Sequence, residues 1–285
     1  MSENSIRVRI PESNAAFLNG SGLVSPLEAQ SLSPRSVPAG CNPLLDGLLA
    51  EAPVGWADEL ELVSLTPGET LFPAGASPTH IVFPMGGLIS LLVRSGPAAN
   101  AEVEVAMVGR HDLVGAAALL GAEPSAHRAV VQVGAPGYRA SAASVRRLIE
   151  TVPAIRSLLL RYVRMSLEEA YQLAACNSRH SLEKRLCRWL LQAHQRLESD
   201  TLPFTHDHIA QMLGVRRASV TVALHIIEGE RLIRSTRGRV DLLDRTRLQM
   251  AACECCGAIA QNRRAFSFGP AAEGVERATP ACATC

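Results

Sequence analysis

The stretch Thr205–Arg239, THDHIAQMLGVRRASVTVALHIIEGERLIRSTRGR, reads as a helix, a tight turn, a second helix and a basic hairpin. Thr205 is placed to cap the first helix. Ile209, Ala210 and Leu213 share one helical face, and Gly214 supplies the left-handed backbone freedom that a sharp inter-helix turn needs. In the second helix Val220, Ala223, Leu224 and Ile227 make the inward stripe, which leaves Arg217, Ser219, Thr221 and His225 facing out. Arg216 and Arg217 open that helix, where a cation opposes the positive end of the helix dipole. Their placement does nothing for the isolated helix and points to an external anion such as phosphate. Leu232 to Arg234 and Val240 to Leu243 read as two short strands around a turn that presents Arg237 and Arg239. A helix pair with a basic wing is the layout of a reader of double-stranded DNA, its second helix entering the major groove.

The charge distribution agrees with that reading. Between Ser178 and Met250 there are 13 Lys+Arg against 8 Asp+Glu, while the whole chain of 285 residues carries only +1. A basic head on a near-neutral body suits a partner whose affinity comes from neutralised phosphates. Every basic side chain except Lys184 is arginine. Arginine suits bidentate contacts, although biased codon use produces the same excess.

Length and an apolar content of 47% allow two domains with real cores. No run reaches the roughly 18 apolar residues of a membrane span, and no basic segment with an apolar core marks a secretory signal. The expected location is cytoplasmic, without a membrane partner. Residues 1–41 are rich in Ser, Pro, Asn and Gly and read as a flexible leader. From 42 to 145, the runs ELELVSL, TLF, HIVFP, LISLLV, EVEVAMV, AVVQV and GYRA alternate with turn signals, the pattern of an antiparallel β-sandwich or jelly roll. A long helix is expected from about Ala142, interrupted near Pro153, with 146–177 as its dimer-forming part. Leu160, Val163, Leu167, Ala170 and Ala174 form one stripe, while Ile155, Leu159 and Tyr162 begin another. One stripe can pack on the chain's own domain and the other on a second copy, which predicts a homodimer. A helix with Leu182, Leu186, Trp189 and Leu190 inward then joins this segment to the reading unit, 178–250, followed by a cysteine-containing tail, 251–285. The fold class is α+β.

This order of parts resembles the Crp/Fnr family of bacterial transcription regulators. The resemblance covers roughly residues 42–250 and is strongest in LTPGETLFPAGASPTHIVFPMGGLISLLV and from RHSLEKRLCRWLL through GRVDLLDR. It implies a cyclic-nucleotide-binding-like sensor domain, a dimerisation helix and a C-terminal winged helix-turn-helix. The implied activity is regulation of transcription as a dimer on DNA, with RNA polymerase as a further partner. Cyclic-nucleotide-binding members have a glycine–glutamate pair and a later arginine–serine pair in the phosphate cassette. Here Gly115 is followed by Ala116, and Arg128 by Ala129. Neither alanine can make the expected hydrogen bond, so cyclic AMP is not expected as the effector. In the reading helix Arg217 matches a base-reading arginine, Ala218 replaces a glutamate and Val222 stands at a later arginine. Arg216, Arg237 and Arg239 are assigned to the DNA backbone, with Ser219 and Thr221 as phosphate or base partners.

Cys253, Cys255 and Cys256, with Cys282 and Cys285, would supply four thiolates for zinc, although the spacing has no recognisable zinc-ribbon form. The family's iron–sulfur branch needs an N-terminal cysteine cluster, where this chain has only Cys41. Cys176 and Cys187 read as small buried hydrophobes, and lone His80, His111 and His127 as structural. No Gly-rich phosphate loop, nucleophile elbow or zinc-protease motif is present, so the chain is not expected to be an enzyme. The alternative to a DNA reader is a sensor scaffold whose winged helix docks a protein.

Overall fold

The computed structural model describes residues 37–96, 102–121 and 124–266. Most of the expected leader, together with Cys282 and Cys285, lies outside them.

Seven strands build the N-terminal half of the described chain: β1 (Glu61–Leu65), β2 (Thr70–Phe72), β3 (His80–Pro84), β4 (Leu88–Arg94), β5 (Glu102–Val108), β6 (Arg128–Val133) and β7 (Ala135–Ser141). They match the seven strand-like runs read from the sequence. They pair antiparallel into two sheets, β1-β7-β3 and β2-β6-β4-β5. Leu65, Phe72, Val82, Ile89, Val108 and Val131 fill the space between them. β4 is an almost unbroken apolar run because its sheet is covered on both faces. Ile89 points between the sheets, whereas Leu88 and Leu92 share a second core with Trp189 and Leu213 of the C-terminal half. A short helix, α1 (Pro43–Leu49), closes one end of the sandwich. Its cap Asn42 accepts from the Leu45 N–H and donates to the carbonyls of Pro84 and Asp112, each at 2.9 Å. A further turn of helix, α2 (Ala117–Leu120), follows β5.

Ser141 caps α3 (Ala142–Thr151) by accepting from the Ser144 N–H. Val152 is extended because a residue before proline avoids the helical region, and Pro153 opens α4 (Pro153–Arg179). At 27 residues α4 is about 40 Å long. Ile155, Leu159 and Tyr162 are buried against the sandwich. Leu160, Leu167 and Tyr171 on the other face are 53%, 48% and 68% exposed.

α5 (Leu182–Leu197) lies at the centre of the C-terminal half. The expected inward residues Leu186, Trp189 and Leu190 are buried, but so are Arg188, Gln192 and Arg196. Arg188 donates to Gln192, and Gln192 and Arg196 meet Glu169, a buried carboxylate on α4. Glu169 accepts from Arg196 at 2.9 Å, Gln192 at 3.1 Å and Arg263 at 2.9 Å. Arg263 also pairs with buried Asp112 at 2.9 Å. Burial pushes the Asp112 carboxyl up, but the charges of Arg263 and Arg196 and the Gly109 N–H outweigh it and hold the group below its ordinary range.

Arg263 belongs to a helix that periodicity did not reveal. Beyond α6 (His206–Leu213), α7 (Arg217–Gly229), the hairpin β9 (Ile233–Thr236) and β10 (Arg239–Leu242), and α8 (Arg245–Ala251), the supposed tail forms α9 (Cys255–Ala265) and returns to α4. Its anchors are thiols, Ile259 and an arginine rather than a hydrophobic stripe. A two-residue strand, β8 (Thr201–Leu202), also unexpected, adds a third strand to the wing by pairing with β10.

Replacing Glu169 by alanine leaves buried Arg196 without its bonded counter-charge and Arg263 with Asp112 alone. A loss of about 3–5 kcal/mol is expected for breaking such a pair, measured by denaturant unfolding. A loss of about 1 kcal/mol or less, the range of an exposed pair, would show that the network contributes little.

Candidate nucleic-acid interface

The first helix of the reading unit starts where the sequence places it. Thr205 caps α6 by accepting from the His208 N–H at 3.1 Å. Gly214 ends it at φ +66°, and the Val215 N–H reaches back to the Ala210 carbonyl at 3.0 Å, closing the helix in the manner of a glycine C-cap. Arg185 on α5 donates to the Leu213 carbonyl at 2.7 Å, satisfying another of the terminal acceptors. The turn glycine also permits a close approach, since a Cβ there would stand 3.0 Å from Val103 on β5.

α7 buries Val220, Ala223, Leu224 and Ile227. Arg216, Arg217, Ser219 and His225 are exposed, as are Arg234, Arg237 and Arg239 on the wing. Two of these cations have acidic neighbours. Arg217 lies 3.5 Å from Asp207, with both side chains about two-thirds exposed, and Arg239 lies 2.9 Å from Asp241. Exposed pairs of this kind are worth at most about 1 kcal/mol and yield readily to a stronger anion. Thr221 differs from its expected role. Its hydroxyl donates to the Arg217 carbonyl and also bonds His206 Nδ1 at 3.0 Å, while His206 Nε2 bonds the Ser235 hydroxyl at 3.0 Å. Thr221 therefore holds the unit together, and His206 latches α6, α7 and the wing. Only its place beside the Thr205 cap distinguished His206 in the sequence. Val222 and Ile226 are 59% and 48% exposed, giving the outward face of α7 an apolar component.

The four residues aligned with the nucleotide cassette do not form a phosphate cradle. Gly115 has φ +99°, and a Cβ there would come within 2.6 Å of the His80 carbonyl oxygen. Ala116 leads into α2, and Ala129 is wholly buried between the sheets. Arg128 is engaged within the protein, donating from Nε and Nη2 to Glu102 at 3.2 and 2.5 Å and from Nη1 to Thr70 at 3.3 Å. The hollow beside α2, about 260 Å³, is lined by Ala117, Leu120, Gly121 and residues 124–127. Its one basic group is His127, whose ring burial holds below its ordinary pKa.

Residues 184–251 match the family model described as the Crp-like helix-turn-helix domain. This chain carries a Crp-like reading head. Among solved structures, a Crp/Fnr-family transcriptional regulator from Eubacterium rectale superposes at TM-score 0.60 with 16% identity, covering 72% of this chain and 96% of that one. FixK2 from Bradyrhizobium japonicum gives TM-score 0.58, 16% identity and coverages of 68% and 98%. A Crp/Fnr-family regulator from Thermus thermophilus gives 0.56, 22% and coverages of 67% and 98%. At these identities the likeness establishes a shared fold, sandwich and Crp-like domain together. No curated relative matches the sequence. No helix among the described residues is long and apolar enough to cross a membrane.

The cysteines group differently from the expected tail site. Cys253 and Cys255 meet Cys176 and His180 at the end of α4, forming a cluster whose composition can hold a metal. Cys256 is instead buried in the core of the Crp-like domain, and Cys282 and Cys285 lie outside the described residues. Cys176 is buried as expected, but beside two other thiols rather than as a simple hydrophobe. Cys187 remains an inert buried thiol, its pKa pushed by burial up to about 12. Sequence alone groups Cys253 and Cys255 with the other tail cysteines, because Cys176 reads as a small buried hydrophobe and nothing local singles out His180.

The Crp-like domain rests on the outer face of β4 and β5. Trp189 Nε1 donates to Glu104 at 2.8 Å, and the Ser90 hydroxyl donates to the same carboxylate. Burial pushes the Glu104 carboxyl up to about 7 from its ordinary 4.5, against the lowering effects of these two hydrogen bonds and of Arg188 and Arg196. A folded-state pKa above the unfolded value gives stability that is present below 4.5 and lost as pH rises through about 7. Relative to the wild type, Glu104→Gln should therefore remove a decline in unfolding free energy between about pH 4.5 and 7. Parallel pH profiles for the two proteins would contradict this.

Proposed function

We propose that the chain is a homodimeric, sequence-specific regulator of transcription, acting in the cytoplasm without catalysis of its own, whose effector is not cyclic AMP. The observation that carries this reading is the exposed face of α7, where Arg217, Ser219 and His225 stand beside Ala218 and Val222 and are flanked by the wing arginines. Arg217 reads a base edge, and guanine is the partner that suits a bidentate guanidinium. Arg216, Arg237 and Arg239 take backbone phosphates, with Ser219 as a neighbouring phosphate or base partner. Val222, where the resemblance would have a second reading arginine, offers an apolar contact of the kind thymine methyl groups accept. Thr221 acts through His206 by fixing the angle between α7 and the wing.

The unpartnered face of α4 supports the dimer. With half-buried Val163, the exposed Leu160, Leu167, Tyr171 and alanines 170 and 174 recur at three- and four-residue intervals, a seam that a second copy of the same helix would cover. Two reading helices held in this way address a twofold site with half-sites about 34 Å apart. The functional division is a sensor unit over 42–145, a dimer helix over 146–177 and a reading unit over 178–250, with RNA polymerase as a further partner.

The test is a gel shift of the full chain on the DNA upstream of its own gene. Affinity is expected to fall steeply with salt, by close to one logarithmic unit per tenfold salt for each phosphate neutralised. Arg217→Ala should cost about 1–3 kcal/mol on the specific site and little on random DNA. Equal losses on both would reduce Arg217 to a phosphate contact. Leu167→Glu should give monomers in sedimentation and weaken the shift. Salt-insensitive or absent DNA binding would instead mark Val222 and Ile226 as a protein-docking face.

For the effector, the Arg128–Glu102 pair and the two alanines leave the groups of cyclic AMP without partners, at about 1–3 kcal/mol for each one buried unsatisfied. Calorimetric titration is expected to show no tight binding of cyclic AMP. A sub-micromolar complex would overturn this part of the reading.

A further inference from the structure

We propose that Cys176, His180, Cys253 and Cys255 form a mononuclear zinc site that fastens the end of α4 to the start of α9. The ligand atoms of all four lie within 4.8 Å of one another. Zinc–sulfur bonds of about 2.3 Å in a tetrahedron set the sulfurs about 3.8 Å apart. Cys176 Sγ and Cys253 Sγ are 3.4 Å apart, and Cys255 Sγ is 3.6 Å from His180 Nδ1. The thiols are free and their spacing is near that of ligands around one ion.

The local structure presents these atoms for a reason. Cys176 and His180 are four residues apart, so they share one face of the last turn of α4, and the His180 N–H closes that turn on the Cys176 carbonyl at 3.0 Å. Cys255 opens an eleven-residue helix, where the dipole favours a thiolate. Gln172 Nε2 lies 3.0 Å from its sulfur and donates to it. The strongest indication is outside the four ligands. His180 Nε2 lies 3.1 Å from the Glu254 carboxylate, which fixes the tautomer with its proton on Nε2 and leaves the Nδ1 lone pair directed at the thiols. A carboxylate behind the histidine is the usual support of a zinc-bound imidazole. Three thiolates and one imidazole select zinc over hard cations such as magnesium or calcium, and four protein ligands make a closed, structural site.

Cys176 and His180 stand on either side of the start of the reading unit at residue 178, and Cys253 and Cys255 follow its end. One ion therefore holds both ends of that unit to the same point on α4. This assignment is independent of what the unit reads, because metal binding is measured without DNA.

The experiment uses the full chain purified under reducing conditions without added metal. Elemental analysis should find about one zinc per chain, and cobalt(II) exchanged into the protein should show thiolate-to-cobalt charge transfer with tetrahedral ligand-field bands. Cys255→Ser and His180→Ala should lose the metal, while Cys41→Ser retains it. Glu254 is 80% exposed, so Glu254→Gln leaves the fold intact and should weaken zinc binding by about 10- to 100-fold. Absence of both zinc and the cobalt charge-transfer band in the wild type would overturn the proposal. So would iron in place of zinc, full zinc content in the Cys253→Ser, Cys255→Ser double variant, unchanged affinity in Glu254→Gln, or loss of metal from a Cys282→Ser, Cys285→Ser variant.

Discussion

A carboxylate in the middle of a buried helical face has to be neutralised, and in this molecule two other helices converge to neutralise Glu169. Arg196 and Gln192 reach it from α5, Arg263 reaches it from α9, and Arg263 continues to Asp112 at the end of β5. An unpaired charge in that position would cost several kcal/mol, so the helices can approach only in arrangements that keep these bonds. Hydrophobic cores permit small slips of one surface over another. This ionic centre permits fewer, because the planar guanidinium of Arg263 spans Glu169 and Asp112 while Arg196 is held on the other oxygen of Glu169. Glycine at 109 follows from the same crowding, since a Cβ there would stand 2.6 Å from the Arg196 side chain.

The second constraint is the shared sheet. Leu88, Leu92, Met107 and Val130 project from the outer face of the sandwich into the core that contains Trp189, Phe204 and Leu213. The floor of the Crp-like domain is thus the back of the sheet that contains β4 and β5. A ligand that alters the pairing of β4 with β5 would act on that floor directly. Such an effect needs no long chain of intermediates, only different affinities of the ligand for two arrangements of the sheet. Within the reading head, His206 ties helix to helix and helix to wing, so the head moves as one piece.

Much of this was legible in the sequence because it rests on short-range rules. The break at Pro153, the cap at Thr205, the left-handed turn at Gly214 and the alternation of the strands are local, and each appears where its residues require. The elements that were missed depend on partners far away in the chain. α9 lacks a hydrophobic stripe because a salt bridge and a group of thiols anchor it, and β8 exists only because β10 lies beside it. Likewise, Cys176 with His180 and Cys253 with Cys255 are unremarkable as separate pairs. The nucleotide cassette was legible as a departure from the family pattern, whereas the closure of Arg128 onto Glu102 required the fold to be known.

The return of α9 to α4 has a mechanical implication. The reading head leaves the long helix at its end and is joined to it again by the segment that follows the wing, so it resembles a door hung on a single post by its top and bottom hinges. A swing about that post would part the head from the sheet beneath it, while translation along the post and twisting across it are opposed by the second attachment. In a twofold assembly two such doors would stand back to back, and the gap between their leading edges would depend chiefly on one angle.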